Sequence, residues 1–165
     1  EDGSALETLR LLKPKKYKYV DEVKRGSEPV YGFIAQQVRD TLPYATQLRT
    51  ECLPNIYELA NVSTSNVITF TNFDTSDLES NAMVLKVYDV DDTEHLVNIT
   101  EVIDEHSVRV DEDLLGDKIF VYGQRVDDFV FLKKDAIWTV ATSALQEVDR
   151  KVTALEARIS ALEKN

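Results

Sequence analysis

The side chains best suited to chemistry in this sequence fall into a few short clusters. Asp89, Asp91, Asp92 and Glu94 gather four carboxylates within one short stretch, the oxygen chemistry a hard cation such as calcium takes. The glycine-containing spacing of an EF-hand loop is missing, and dense like charge ordinarily marks solvent, so the stretch reads as an acidic surface turn. His95 and His106 lie in or beside expected strands without a second ligand at metal-binding spacing, and read as structural. Lys13, Lys15, Lys16 and Lys18, interleaved with Tyr17 and Tyr19, have the composition of a base-stacking strip. One short basic strand neutralises little phosphate, however, and the chain carries 30 acidic residues against 19 basic ones, so nucleic acid is excluded as a partner. Cys52 is the only cysteine, which excludes an intrachain disulfide and a thiolate zinc cluster; it reads as a small half-buried residue. Asn61-Val62-Ser63 and Asn98-Ile99-Thr100 match glycosylation acceptors, a tripeptide common by chance. Nothing resembles a phosphate loop or a hydrolase elbow, and no cofactor and no metal are expected.

The elements that carry these residues change character along the chain. Its 165 residues, 43% hydrophobic, suit one compact domain with an appendage. No stretch approaches the roughly 20 apolar residues of a membrane helix, so no membrane partner is expected. Ser4 and Glu7 have capping-box spacing, and Leu6, Leu9 and Leu12 follow at helical intervals until Lys13-Pro14. Lys16 to Val20 and Val30 to Ile34 read as two paired strands, and Ala35 to Leu42 as a helix stopped by Pro43. From Asn61 to about Leu132 proline disappears and short β-branched runs alternate with acidic turns. The expected strands are Val67 to Phe70, Met83 to Tyr88, His95 to Thr100, Ser107 to Val110, Ile119 to Val126 and Phe129 to Leu132, a spacing that suits a barrel or sandwich. The fold class is therefore α+β: a small helix and strand core over 1–60, a β-rich insertion over 61–133 and a coiled-coil helix over 134–165.

Asp135 is the expected N-cap of that last helix, which runs on without glycine or proline. Its heptads place Trp138, Leu145, Val152 and Ile159 at position a and Ala141, Val148, Leu155 and Leu162 at position d, with no polar interruption. In a parallel, in-register coil, Lys151 and Arg158 at position g face Glu156 and Glu163 at position e of the neighbouring helix. The chain is thus expected to partner itself. β-branched a positions with leucine at d suit a dimer, whereas Arg158-Ile159-Ser160-Ala161-Leu162-Glu163 resembles a hexapeptide common in three-stranded coils. A homotrimer is the favoured expectation.

Tyr31-Gly32-Phe33-Ile34-Ala35-Gln36-Gln37-Val38, followed by Leu42-Pro43, resembles the signature of the self-cleaving intramolecular chaperone domains of phage tail spikes, endosialidases, fibres and some giant-virus proteins. Leu9 to Leu12, Lys13-Pro14 and Tyr17-Lys18-Tyr19 match that family's helix, proline turn and aromatic strand in order and spacing. Leu53-Pro54-Asn55-Ile56-Tyr57 and the β insertion look like the giant-virus branch.

The resemblance implies a C-terminal domain that trimerises a viral fibre or spike, templates the folding of the upstream part of the same polypeptide and is then cut off. The host cytoplasm during assembly, and the virion afterwards, would be its places. The family's cleavage uses a serine activated by a lysine, in a motif of Ser-Asp followed by Leu-Lys. That motif is absent: Ser4 lacks the following aspartate, and Ser76-Asp77-Leu78-Glu79 lacks the lysine, so no catalytic residue is carried over. The chain begins just past where the motif belongs, so the expectation is either a motif upstream of residue 1 or a member that kept chaperoning without cleavage. Two other functions compete: an active serine-lysine endopeptidase whose dyad lies outside this chain, and a trimeric ligand- or carbohydrate-binding module. The latter would need an exposed aromatic patch, for which Tyr88, Tyr122, Phe129 and Phe131 are the candidates.

Overall fold

The computed structural model describes residues 4–80 and 82–164, and the fold is mixed α+β. Two compact units emerge: one takes the chain up to Lys18, then Glu28–Arg49 and everything from Val130; the other takes Tyr19–Ser27 and Thr50–Phe129.

In the first unit the leucine spacing of the opening segment becomes α1 (Ala5–Leu11), which ends ahead of Pro14. Ser4 occupies its N-cap position but makes no side-chain cap hydrogen bond, so the expected capping box does not form. β1 (Lys15–Tyr17) and β2 (Val30–Gly32) pair antiparallel with Lys16 opposite Tyr31. A Cβ at Gly32 would lie 2.8 Å from Tyr17 Oη, so the tyrosine ring rests on the bare glycine backbone. α3 (Ala35–Thr41) stops at Leu42, and Pro43 opens a single 3-10 turn, Pro43–Ala45. Leu12, Val38, Leu42 and Ala45 close around Ile137 of the long C-terminal helix α4 (Lys134–Leu162). Lys133, not Asp135, sits at the N-cap of α4; its N–H donates to the Ala45 carbonyl at 2.8 Å, and Asp135 falls in the first turn, where its charge suits the helix dipole.

The second unit contains a six-stranded antiparallel barrel. After β3 (Thr46–Cys52) come β4 (Glu58–Val62), β5 (Val67–Thr69), β6 (Val84–Tyr88), β7 (Glu94–Asp104), β8 (Ser107–Val110) and β9 (Lys118–Leu132). β9 pairs with both β4 and β6, so the order β9-β4-β5-β8-β7-β6 closes on itself, with β3 added outside on β9. The two strands expected over Ile119 to Val126 and Phe129 to Leu132 are one continuous strand, and β3 and β4 are strands the periodicity did not announce. Ile68, Leu85, Val97, Val108 and Val121, from five of the barrel strands, are fully buried. Each such side chain contributes about 1.5–3 kcal/mol of burial.

Closure requires an irregularity. Lys86 is opposite Gly123 but Val87 is opposite Val121, leaving Tyr122 as the extra residue of a β-bulge. Segment 53–57 crosses that bulge: Leu53 N–H donates to Gln124 O at 2.8 Å, Tyr57 N–H to Tyr122 O at 3.1 Å and Gln124 N–H to Asn55 Oδ1 at 2.9 Å. This is the structural role of Leu53-Pro54-Asn55-Ile56-Tyr57. The bulge aims Tyr122 at Asp21, whose Oδ2 accepts the Tyr122 hydroxyl at 3.2 Å. Asp21 Oδ1 accepts the Lys24 N–H at 3.0 Å, capping the short helix α2 (Glu22–Arg25), and the Tyr57 hydroxyl at 3.3 Å. Burial first, then the bond to Asp21, pushes the Tyr122 hydroxyl up to about 12, so it remains a donor.

Candidate oligomerisation site

α4 has two faces with different fates. Ile137, Ala144 and Glu147 are buried and Val140 partly buried against the rest of the first unit, α1 included. The heptad stripe turns away from them. Trp138 is 64% exposed, Leu145 68%, Leu155 54% and Leu162 73%; Val148, Val152 and Ile159 are likewise exposed, and Ala141 is half-buried. From Val148 to Lys164 every residue is exposed, Arg158 and Glu163 among them. A soluble surface seldom presents so long a continuous apolar line without a partner. The same chain thus builds a helix that docks on its own unit through one face and exposes an apolar stripe at heptad spacing on a second.

The residues of the signature segment divide in a comparable way. Val38 is 2% exposed in the core, Phe33 packs against that core, and Gly32 lies under Tyr17. Tyr31, Ile34, Gln36, Gln37 and Pro43 are exposed, with Ala35 half-buried at the start of α3. The Lys16 ammonium stands 5.9 Å from the centroid of the Tyr31 ring, so this lysine lies along an exposed strand face. Ile34, Gln37 and Val38 line a shallow groove with Leu11, Lys13 and Asp40.

The acidic stretch is a turn built around one of its members. Asp89, 6% exposed, accepts the N–H of Asp91 at 3.0 Å and of Thr93 at 3.1 Å through Oδ1, and its Oδ2 meets His95 Nε2 at 3.1 Å. His95 Nδ1 meets Glu112 Oε1 at 2.6 Å on the loop before β9. A neutral imidazole has one N–H and cannot donate to two carboxylates; the doubly protonated ring can. Glu112 first, then Asp89, accordingly raise the His95 pKa above its ordinary 6.5, against burial. Burial pushes the Asp89 carboxyl up, but the bonds from His95, Thr93 and Asp91 outweigh it and hold it low. Stability from His95 is therefore complete below pH 6.5 and is lost as pH rises through its raised folded value. In urea titrations, the stability gap between the native chain and His95→Gln is expected to narrow as pH rises above 6.5 and through the raised folded value; a gap independent of pH would refute the charged clamp.

Among the described residues no group of three or more His, Cys, Asp and Glu could hold a metal ion. Of the four aromatic candidates for a binding patch, Tyr88, Tyr122 and Phe129 are half-buried, Tyr88 beside Phe120, and Phe131, 38% exposed, lies under the Arg49 guanidinium at 3.8 Å. Ser76 N–H donates to Asp74 Oδ1 in the loop before β6. Two residues escaped the sequence reading altogether, Asp21 and Glu147, because the tyrosines that bond Asp21 and the Leu6 amide that bonds Glu147 are distant in the chain.

Comparison with known proteins adds two findings. The chain is 31% identical to the uncharacterized protein VP1 of Micromonas pusilla reovirus, over an alignment of 219 residues that covers 98% of this chain. It spans 12% of the length of that viral relative. Residues 2–47, the stretch running from α1 through the β1–β2 hairpin and α3 to the start of β3, match the family described as chaperone of endosialidase.

Proposed function

We propose that this chain is a homotrimeric intramolecular chaperone, which aligns and templates the folding of the fibre or spike part of a longer viral polypeptide. The observation that carries this reading is the stripe from Trp138 to Leu162, apolar at every a and d position and exposed at all of them but the half-buried Ala141. The matching g and e charges of Lys151, Arg158, Glu156 and Glu163 favour parallel helices in register. A parallel coil brings three chain ends together, raising the effective concentration of whatever segments precede it and setting their register before their own non-local contacts form. Viral kinship over nearly the whole chain supports assembly in an infected host cell, and in a virion thereafter.

Light scattering on the purified chain tests the reading: the expected mass is three times that of the 18.8 kDa chain, and a monomer would refute it. Trp138 is the only tryptophan and occupies the first a position. Its fluorescence should move to the blue as concentration rises through the association range, with the same midpoint as the mass.

A further inference from the structure

Glu147 stands at a heptad c position, which in a coiled-coil helix ordinarily faces water, yet it is 7% exposed. Its two carboxylate oxygens serve different parts of the chain. Oε2 accepts the N–H of Leu6, in the first turn of α1, at 3.1 Å. Oε1 accepts from Lys151 Nζ, one turn further along α4, at 2.6 Å. The first amides of a helix have no partner within the helix, and Ser4, the local residue of a type that caps, makes no such side-chain bond. Glu147 supplies the missing carboxylate from 141 positions away. The close approach is possible because Ala5 and Ala144, both nearly inaccessible, are small.

We propose that Glu147 is the positioning residue through which the coiled-coil helix fixes the N-terminal end of the domain. It caps α1 in place of Ser4, so that in the assembled oligomer each α1 is held at one distance from the coil axis. The second half of this statement rests on the oligomer proposed above; the first does not. Lys151 orients the carboxylate and also lies at position g, so the group that caps α1 is tied to the charge that pairs neighbouring helices.

The test places a nitroxide label on exposed α1, by Glu7→Cys in a Cys52→Ser background, and compares the native residue at 147 with Glu147→Leu and Glu147→Gln. Hydrogen exchange is read at Leu6 and along α1, and label-to-label distances by dipolar spectroscopy. With Glu147→Leu, the Leu6 amide should exchange at least about tenfold faster, and the narrow inter-label distance of the parent should broaden, while oligomer mass and barrel protection stay as they were. Glu147→Gln keeps an acceptor but loses the charge, and should give a smaller change in the same direction; it also decides the matter should the leucine variant fail to fold. Unchanged exchange at Leu6 in a folded variant overturns the capping role. An unchanged narrow distance overturns the positioning role. A monomeric parent, which has no inter-label distance, would instead sink the oligomer reading and leave the exchange measurement to decide the cap.

Discussion

Changing Leu155 and Ile159 to aspartate together is expected to reduce the chain to a monomer of 18.8 kDa at micromolar concentration, with the barrel untouched. Both side chains are about half exposed and lie in the stretch of α4, Val148 to Lys164, in which every residue is exposed, so the substitution disturbs little internal packing. In a trimer it acts six times. Covering the exposed half of each Leu or Ile is worth about 1 kcal/mol, so several kcal/mol of association free energy disappear. Six carboxylates would also be forced toward one apolar seam, where each unpaired charge carries a further cost. Every 1.4 kcal/mol is a factor of about ten in the equilibrium constant, so the combined loss weakens association by several orders of magnitude. Light scattering gives the mass, Trp138 emission should stay red, and far-ultraviolet dichroism should show loss of helix with strand content unchanged. An oligomer that survives the double aspartate would place the interface elsewhere.

Gly123→Ala should be the most damaging single change in the barrel. Gly123 has φ +153°, a backbone conformation that side chains rarely adopt, and its missing Cβ would lie 1.9 Å from the carbonyl oxygen of Leu53 and 2.4 Å from Asn55 Oδ1. Neither neighbour is free to retreat: Leu53 N–H is bonded to Gln124 O, and the Asn55 side chain exchanges hydrogen bonds with Gln124 on both its oxygen and its nitrogen. Backbone strain of about 1–3 kcal/mol combines with displacement of segment 53–57, for a total of at least about 3 kcal/mol. That is a large part of the 5–15 kcal/mol typical of a folded domain. Gly26 provides the control, since its φ is +84° but nothing lies within 4 Å of the site of its Cβ. Gly26→Ala should cost only about 1 kcal/mol. Urea denaturation of the two variants would separate strain alone from strain with collision; equal losses would mean that segment 53–57 yields easily.

Reading this chain in one dimension succeeds where structure is periodic. The apolar stripe of α4 repeats over four heptads, so its a and d positions needed only the 3.5-residue spacing, and all but the half-buried Ala141 are found exposed. Val38 and Leu42 reach the core, and α3 stops before Pro43, because helical spacing and proline geometry act within one turn. Ser107–Val110 became a strand over the residues its β-branched pattern suggested. β3 and β4 carry charged and small residues, Arg49, Glu51, Glu58 and Ala60, and became strands through pairing with β9 rather than through their own alternation.

What the sequence determined by itself, then, was the family segment, the apolar stripe of the last helix and the general α+β character, since each resides in short-range order. The tertiary structure alone decided that β9 would close a barrel instead of edging a sandwich, and that Gly123 would lie beneath Leu53. It also turned an acidic run into a turn clamped by His95, and made Glu147 the cap of a helix beginning at Ala5. Each of those outcomes depends on groups brought together across tens of residues, where hydrogen-bond geometry and burial select the partners and local spacing has no say.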